Sequence, residues 1–192
     1  NILQQTLLIG VSSSLTSERE EKKLKDLYRI SGFNISKLIF GKSILYFCVF
    51  MMFGMFFAMV NFSVFGIVVR GSYLDLAFVT AVFIYAVIIL GMLVGSFFKT
   101  KLFAFQVLVF SSYPIFLVTG YSMPYQALPK AVQVFSDLLP TSPFLRVYIS
   151  IVQAGGSIGD NWPSVVHLII LLQILLVLLM VRINYLLKNE AS

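Results

Sequence analysis

The sequence has few charged residues. Of its 192 residues only 11% are Asp, Glu, Lys or Arg, whereas a typical soluble domain has about 25%. Hydrophobic residues make up 59% of the chain, and the mean hydropathy is +0.94. A chain of this composition cannot cover a globular domain with polar side chains, which excludes a soluble single-domain enzyme.

Residues that carry chemistry are equally scarce. One cysteine, Cys48, excludes an internal disulfide, and one histidine, His167, cannot build a metal cluster. No HExxH or GxSxG motif occurs. Gly41-Lys42-Ser43 looks like the end of a phosphate-binding loop, but Ser36 stands where that motif requires glycine. We therefore expect no catalytic residue, no metal and no cofactor bound by this chain.

Long runs without charge are what the sequence does have. They cover residues 43–69, 76–98, 102–129 and 161–181, and each reaches the roughly 20 residues that a spanning helix needs. A fifth run, 1–17, falls short, so we expect it to complete a span that begins before Asn1. The prediction is an all-α, polytopic transmembrane bundle forming one domain, 1–192. Its five spans are 1–15 (partial), 43–62, 74–98, 102–120 and 163–187.

Basic residues predict the orientation of these spans. The net charge of +6 does not indicate nucleic acid, because the basic residues flank the apolar runs. With segment 17–42 in the cytoplasm, eleven of the 14 Lys and Arg residues lie inside, and the reverse topology would invert that count. This favours an N-terminus outside and a C-terminus in the cytoplasm.

Segment 17–41 is the most polar part of the chain, and we interpret it as cytoplasmic coupling and elbow helices. Ser17 with Glu20 matches a capping box, which predicts a helix starting at Ser17. The helix would end at Ser31-Gly32, and residues 34–40 would form an elbow on the membrane surface. Lys37 and Lys42 would hold that elbow at the anionic inner leaflet. Two interpretations are open: a basic loop that only fixes topology, or a docking helix for a soluble partner.

The loop 121–162 contains most of the prolines. Pro124 and Pro129 are expected to break helices, and Pro140 and Pro143 to separate a helix over 130–138 from one over 144–152. A re-entrant helical hairpin at the outer mouth fits this pattern, and so does a surface loop with two interfacial helices.

A GxxxG motif, Gly91 and Gly95, lies within the third predicted span. Two glycines one turn apart let another helix approach closely. Packing within the chain is favoured over a dimer face, because every bundle needs such contacts.

Several of these features together resemble the membrane subunit (permease) of type-2 ABC transporters. The first is Ser17-Glu18-Arg19-Glu20-Glu21 after a short span, followed by a basic, Leu-rich helix. The family usually has a Gly-Thr-Leu-like step next, and Lys22-Lys23-Leu24 stands there in this chain. The second is the order of Thr119-Gly120-Tyr121, Met123-Pro124, Leu128-Pro129 and Leu139-Pro140. The resemblance covers nearly the whole chain and matches the last five of six spans.

The resemblance implies a permease subunit in a bacterial cytoplasmic (inner) membrane. A second permease copy would complete the pore, and a cytoplasmic ABC ATPase would bind ATP and Mg. The ATPase-coupling residues would be Glu18, Arg19, Glu20, Glu21, Leu24, Leu27 and Tyr28. The mostly apolar interior favours export of an amphipathic or lipid-like cargo, with membrane lipid as a partner. An autonomous channel or carrier and a membrane scaffold protein are the alternatives.

Overall fold

A computed structural model describes residues 2–63, 66, 69–119 and 128–189 of the chain, and these residues contain α-helices and no strand. The helices are α1 (Ile2–Glu20), α2 (Leu24–Ile30), α3 (Ile35–Ser63), α4 (Tyr73–Gly95), α5 (Lys101–Val118), α6 (Lys130–Asp137), α7 (Thr141–Ile149) and α8 (Trp162–Asn189). A short π-helical turn, Ser150–Ala154, follows α7. The predicted all-helical fold is confirmed for this part of the chain.

Within these residues, four helices are long and apolar enough to cross a membrane. They correspond to Ile35–Val60, Tyr73–Gly95, Lys101–Val118 and Trp162–Lys188. The chain is therefore a multi-pass membrane protein. Helix α1 is outside this group, since Gln4, Gln5, Ser12, Ser13 and Thr16 make it more polar.

Helix α4 forms the centre of the bundle. It packs against α1, α3, α7 and α8, and α1 also packs against α5. The core is almost entirely aliphatic, with Ile84, Ile88 and Ile89 of α4 among its fully buried side chains. Helices α3 and α5 bury few of their own side chains. Their exposed phenylalanines and methionines suit a hydrocarbon solvent, where apolar surface costs nothing.

Contacts between helix ends define two ends of the bundle. The C-terminus of α1 meets the C-terminus of α4 and the N-termini of α3 and α5, and α8 reaches the same place near its C-terminus. We call this the basic end, because the predicted cytoplasmic Lys and Arg residues collect there. The start of α1, the start of α4 and helices α6 and α7 meet at the opposite end.

Two boundaries differ from those expected from the sequence. Ser17 does not begin a helix, because α1 runs through it to Glu20, and its hydroxyl contacts the Glu21 carboxylate. The expected surface elbow 34–40 is not a separate element either, since α3 begins at Ile35 and continues into the apolar run. The Asn34 side chain accepts from the backbone N–H groups of Ser36 and Lys37, which starts α3 there.

Candidate functional site at the basic end

The polar segment begins with a break between α1 and α2 at residues 21–23. The N–H of Lys23 bonds to the Glu18 carbonyl, and the N–H of Lys22 bonds to the Arg19 carbonyl. These two bonds form a Schellman motif, which ends a helix by placing one residue in the left-handed region. That residue is Lys22, with φ 56°. Lysine holds a position that favours glycine, so the break is sharp and locally strained.

Helix α2 ends in a second Schellman motif. The N–H of Phe33 bonds to the Tyr28 carbonyl and the N–H of Gly32 to the Arg29 carbonyl, with Gly32 at φ 70°. The rings of Phe33 and Tyr28 meet edge to face with their centroids 5.5 Å apart, the hydrophobic contact that often accompanies this motif. Helix α2 is thus a short element that lies between two Schellman motifs, one at the end of α1 and one at its own end.

The predicted coupling residues divide into anchors and exposed groups. Leu24 is 1% exposed, so it anchors α2 to the bundle and cannot itself meet a partner. Leu27 and Tyr28 are half-buried, and Glu21 is exposed. Ile30, at the end of α2, is 82% exposed. A partner that approaches α2 would therefore meet its exposed side, where Leu27 and Tyr28 are partly accessible and Ile30 is largely so.

Arg19 binds the end of α4. Its Nη1 atom donates to the carbonyl oxygens of Ser96 at 2.6 Å and Phe98 at 2.7 Å. Arg182 of α8 also donates to the Ser96 carbonyl, at 3.3 Å, and its guanidinium lies over the Phe97 ring. The C-terminus of a helix carries the negative end of its dipole, which favours cations. Two cationic side chains bind the carbonyls just past that end of α4, at the C-cap residue Ser96 and at Phe98.

Two carboxylates on α1 reach neighbouring helices. Glu20 Oε2 accepts a hydrogen bond from the backbone N–H of Lys101 at 3.1 Å, at the first residue of α5. Glu18 forms an ion pair with Lys42 of α3, and both side chains are largely buried. Lys42 was expected to anchor the elbow at lipid headgroups. That expectation is wrong, because the pairing turns its ammonium group toward Glu18.

The last turn of α1 is therefore joined to three other helices. Glu18 reaches α3, Arg19 reaches the end of α4, and Glu20 reaches the start of α5. These contacts come from the three residues directly before the break that leads into α2. One ion pair and several hydrogen bonds thus connect the residues just before α2 to the ends of α3, α4 and α5.

Electrostatics support the geometry of the break. Lys23 forms a salt bridge with Glu21 at 2.5 Å. Hydrogen bonding to Lys23, and then to Ser17, lowers the pKa of Glu21, and the same pairing raises the pKa of Lys23. Both groups are solvent-exposed, so the pair contributes little to overall stability. Its effect is local, because it holds residues 21 and 23 on either side of Lys22.

The two glycines of the GxxxG motif lie against α1. A Cβ atom on Gly95 would lie 2.7 Å from the Ser12 carbonyl oxygen, and one on Gly91 would lie 3.2 Å from Val11 Cβ. The Thr16 hydroxyl donates to the Gly95 carbonyl at 3.1 Å. Within this chain the motif therefore serves the contact between α1 and α4, the same pair of helices that Arg19 ties together.

At the opposite end, α6 and α7 form a helical hairpin. Pro129 precedes α6, and Pro140 precedes α7. Pro143 was expected to break a helix, but it lies in the first turn of α7, where a missing N–H costs nothing. Pro124 lies outside the described residues. The hairpin packs into the bundle through Phe144, whose ring stacks on Phe83 at 4.0 Å between centroids.

Polar contacts fix this hairpin in place. The Thr141 hydroxyl donates to the Gln4 side-chain oxygen of α1 at 2.8 Å. Ser136 and Ser142 share a buried hydrogen bond of 2.6 Å, and Arg146 pairs with Asp137 across the turn at 2.5 Å. The N–H of Ile158, in the loop after α7, donates to the Asp75 carboxylate at 3.1 Å. Helix α1 thus touches both the hairpin and the basic end.

The sequence did not indicate several residues of the basic-end site. Ser96 and Phe98 act through backbone carbonyls, which carry no side-chain signal. Arg182 and Lys42 were interpreted from their charge alone. The general need of a helix C-terminus for cations could have drawn attention to Arg19 and Arg182 near the end of α4.

Among the described residues, no group of three or more His, Cys, Asp or Glu side chains could hold a metal ion. The site consists of arginines, carboxylates and helix ends, and its side chains hold the helix ends together.

Comparison with known families fits this architecture. The model of the family described as ABC-2 family transporter protein matches residues 2–182. Searches of curated proteins and of solved structures gave no match. The match extends from the first described residue of α1 to Arg182 in α8, and therefore includes the break, the bundle and the hairpin. This chain belongs to the ABC-2 transporter family and is a membrane component of an ABC transporter.

Proposed function

We propose that this chain is an exporter permease whose movement is driven by a separate cytoplasmic ATPase docked at the break and α2. The ATPase would hold ATP and Mg, and this chain would supply half of the pore beside a second permease copy. The family membership supports the general role, and the basic-end geometry supports the place of docking.

The observation that carries the proposal is the position of the break. Residues 21–23 and the end of α2 are exposed, while Glu18, Arg19 and Glu20, immediately before them, are bonded to three helix ends. The exposed side of this segment combines charge, on Glu21, with an apolar tip, at Ile30. Specific protein interfaces combine an apolar centre with a polar rim, and this segment offers both kinds of side chain.

Lys22 contributes to this interface through the backbone. Its left-handed conformation turns the chain sharply, so that α2 departs from the axis of α1. To pass a movement of the ATPase to the bundle, the bend between α1 and α2 must keep its shape. A Schellman motif reinforced by the Glu21–Lys23 pair would hold it.

The proposed cargo rests on the composition of the core, and the proposed membrane rests on the distribution of charge. The buried core is mostly aliphatic, and its buried polar side chains lie mainly on α1 and on the hairpin, with Ser43, Ser96 and Thr119 elsewhere. This composition favours an amphipathic or lipid-like cargo over small ions. The basic end would face the cytoplasm of a bacterial inner membrane, in agreement with the positive-inside rule. In this orientation the hairpin of α6 and α7 would close the outer mouth.

Co-purification tests the proposal. The full-length protein is extracted from native membranes in mild detergent, and bound proteins are identified by mass spectrometry. We expect a nucleotide-binding ABC ATPase with the native protein and several-fold less of it with Ile30→Asp. Leu138→Asp is the matched control. Leu138, like Ile30, is an exposed aliphatic side chain, 62% exposed, but it lies at the opposite end of the bundle. If no ATPase accompanies the native protein, an autonomous channel or a scaffold becomes the better interpretation.

A further inference from the structure

An apolar groove runs along the side of the bundle between α3, α4 and α8. It has a volume of about 310 Å³. Its lining side chains are apolar or aromatic, and they include Phe40, Ile44 and Phe47 of α3, Val82 and Tyr85 of α4, and Leu172 of α8. The groove lies within the segments that are long and apolar enough to span a membrane, so hydrocarbon chains are the surrounding solvent.

The mouth of the groove lies toward the basic end. Phe40 and Ile44 come from the first turns of α3, whose N-terminus is at that end, and they are 60% and 44% exposed. Lys37 lies on the same face of α3, since residues 37, 40 and 44 follow the 3-and-4 spacing of one helix face. Its side chain is exposed. At 1.5 Å per residue, Lys37 stands about 10 Å above Ile44 along the helix axis.

Lys37 and Lys42 differ in what they can bind. Lys42 is paired with Glu18 and largely buried, whereas Lys37 is exposed just above the groove. Gly41, between them, leaves open space, because a Cβ atom there would have no heavy atom within 4 Å. A cation above an apolar channel is complementary to a phospholipid, with its anionic headgroup at the cation and an acyl chain below.

We propose that this groove is a binding site for one anionic phospholipid, with the headgroup phosphate on Lys37 and an acyl chain along Phe40, Ile44 and Phe47. Because α3 also carries Lys42, and Lys42 is paired with the last turn of α1, the bound lipid would steady the helix that faces the proposed docking segment. The existence of this lipid site does not depend on an ATPase.

Cys48 supplies a local probe. It is the single cysteine of the chain, it is exposed, and it follows Ile44 by one helical turn. The protein is labelled there with a bimane fluorophore and reconstituted in phosphatidylcholine vesicles. A small fixed fraction of the lipid is either nitroxide-labelled phosphatidylglycerol or nitroxide-labelled phosphatidylcholine, and quenching by the two is compared.

We expect phosphatidylglycerol to quench about five-fold more effectively than phosphatidylcholine, the preference that one basic residue gives near an anionic headgroup. Lys37→Gln should remove the preference, while Lys130→Gln, a lysine at the opposite end, should keep it. Gly41→Trp should reduce quenching by both lipids, because the new ring enters the open mouth of the groove. Equal quenching by the two lipids in the native protein overturns the proposal. Absence of quenching by either lipid also overturns it, since a second protein copy would then cover the groove.

Discussion

Arg19 and Ser96 are separated by 77 residues in the sequence, yet the Arg19 guanidinium donates to the Ser96 carbonyl oxygen at 2.6 Å. The bond joins the last turn of α1 to the C-terminus of α4, the most buried helix of the bundle. Arg182 of α8 donates to the same carbonyl. Three helices therefore meet at one oxygen atom. Arg19 lies two residues before the break, at residues 21–23, that precedes α2.

Removing this contact should loosen the basic end. We expect Arg19→Gln to lower the free energy of unfolding by about 2 kcal/mol, because hydrogen bonds from a charged donor are worth roughly 1.5–3 kcal/mol. Thermal unfolding in detergent, followed by circular dichroism, measures the loss. Arg29→Gln is the control, since Arg29 is exposed on α2 at the same end and should change stability by less than about 0.5 kcal/mol. Equal losses in the two variants would mean that the contact with α4 contributes nothing.

The contact between α1 and α4 should tolerate no side chain at Gly95. A Cβ atom there would meet the backbone of Ser12, at 2.7 Å from its oxygen and 2.9 Å from its Cα. Backbone cannot move aside as a side chain can, so we expect Gly95→Ala to cost about 1–3 kcal/mol. Gly91→Ala should cost less, because its nearest neighbour is Val11 Cβ at 3.2 Å.

Gly10→Ala is the matched control for both glycine variants. A Cβ atom at Gly10 would have no heavy atom within 4 Å, and alanine is the better helix former. This variant should be neutral or slightly more stable in the same thermal measurement. If Gly95→Ala is as stable as Gly10→Ala, the two helices do not pack as described.

The break should become more stable with glycine at its left-handed position. Lys22 has φ 56°, and a left-handed conformation costs an L-residue about 1–2 kcal/mol. We expect Lys22→Gly to raise the free energy of unfolding by up to about 1 kcal/mol, since the greater freedom of glycine in the unfolded chain offsets part of the gain. Lys23→Gly, at φ −80°, should bring no gain. A loss of stability in Lys22→Gly would contradict the Schellman motif at this position.

The pairing of Glu21 with Lys23 predicts a pH dependence. The pKa of Glu21 is lowered from its ordinary value of 4.5, so its contribution is present above that pH and is lost as the pH falls through the lower, folded-state pKa. The difference in melting temperature between the native protein and Glu21→Gln should therefore be small at pH 7 and disappear toward pH 3. A difference that stays constant over this range would show that Glu21 is not paired.

How far the sequence predicts the structure depends on the range of the interaction. The spanning helices could be located because a long apolar run can satisfy its backbone in a membrane only as a helix. The end of α2 at Ser31-Gly32 could also be predicted, and it is confirmed, since a glycine at this position permits the left-handed turn. Both signals are local in the chain.

The contacts of the basic end could not be predicted in the same way. Glu20 accepts from a backbone N–H 81 residues away, and nothing in the spacing of the charges indicates that distance. The break at Lys22 was missed because lysine carries no turn signal, although the related family usually has glycine in the corresponding step. Pairing of Lys42 with Glu18 was missed for a different reason: a lysine near a membrane surface is expected to face the lipid.

The central claim, that an ATPase docks on α2, is tested most directly by site-specific photo-crosslinking. In a Cys48→Ser background, a benzophenone is attached at Ile30→Cys or, as the control, at Leu138→Cys, and native membranes are irradiated. We predict that the label at position 30 forms a covalent adduct with a nucleotide-binding ABC ATPase and that the label at position 138 forms none. Adducts at position 30 that contain no ATPase, or equal ATPase adducts at the two positions, would contradict the account.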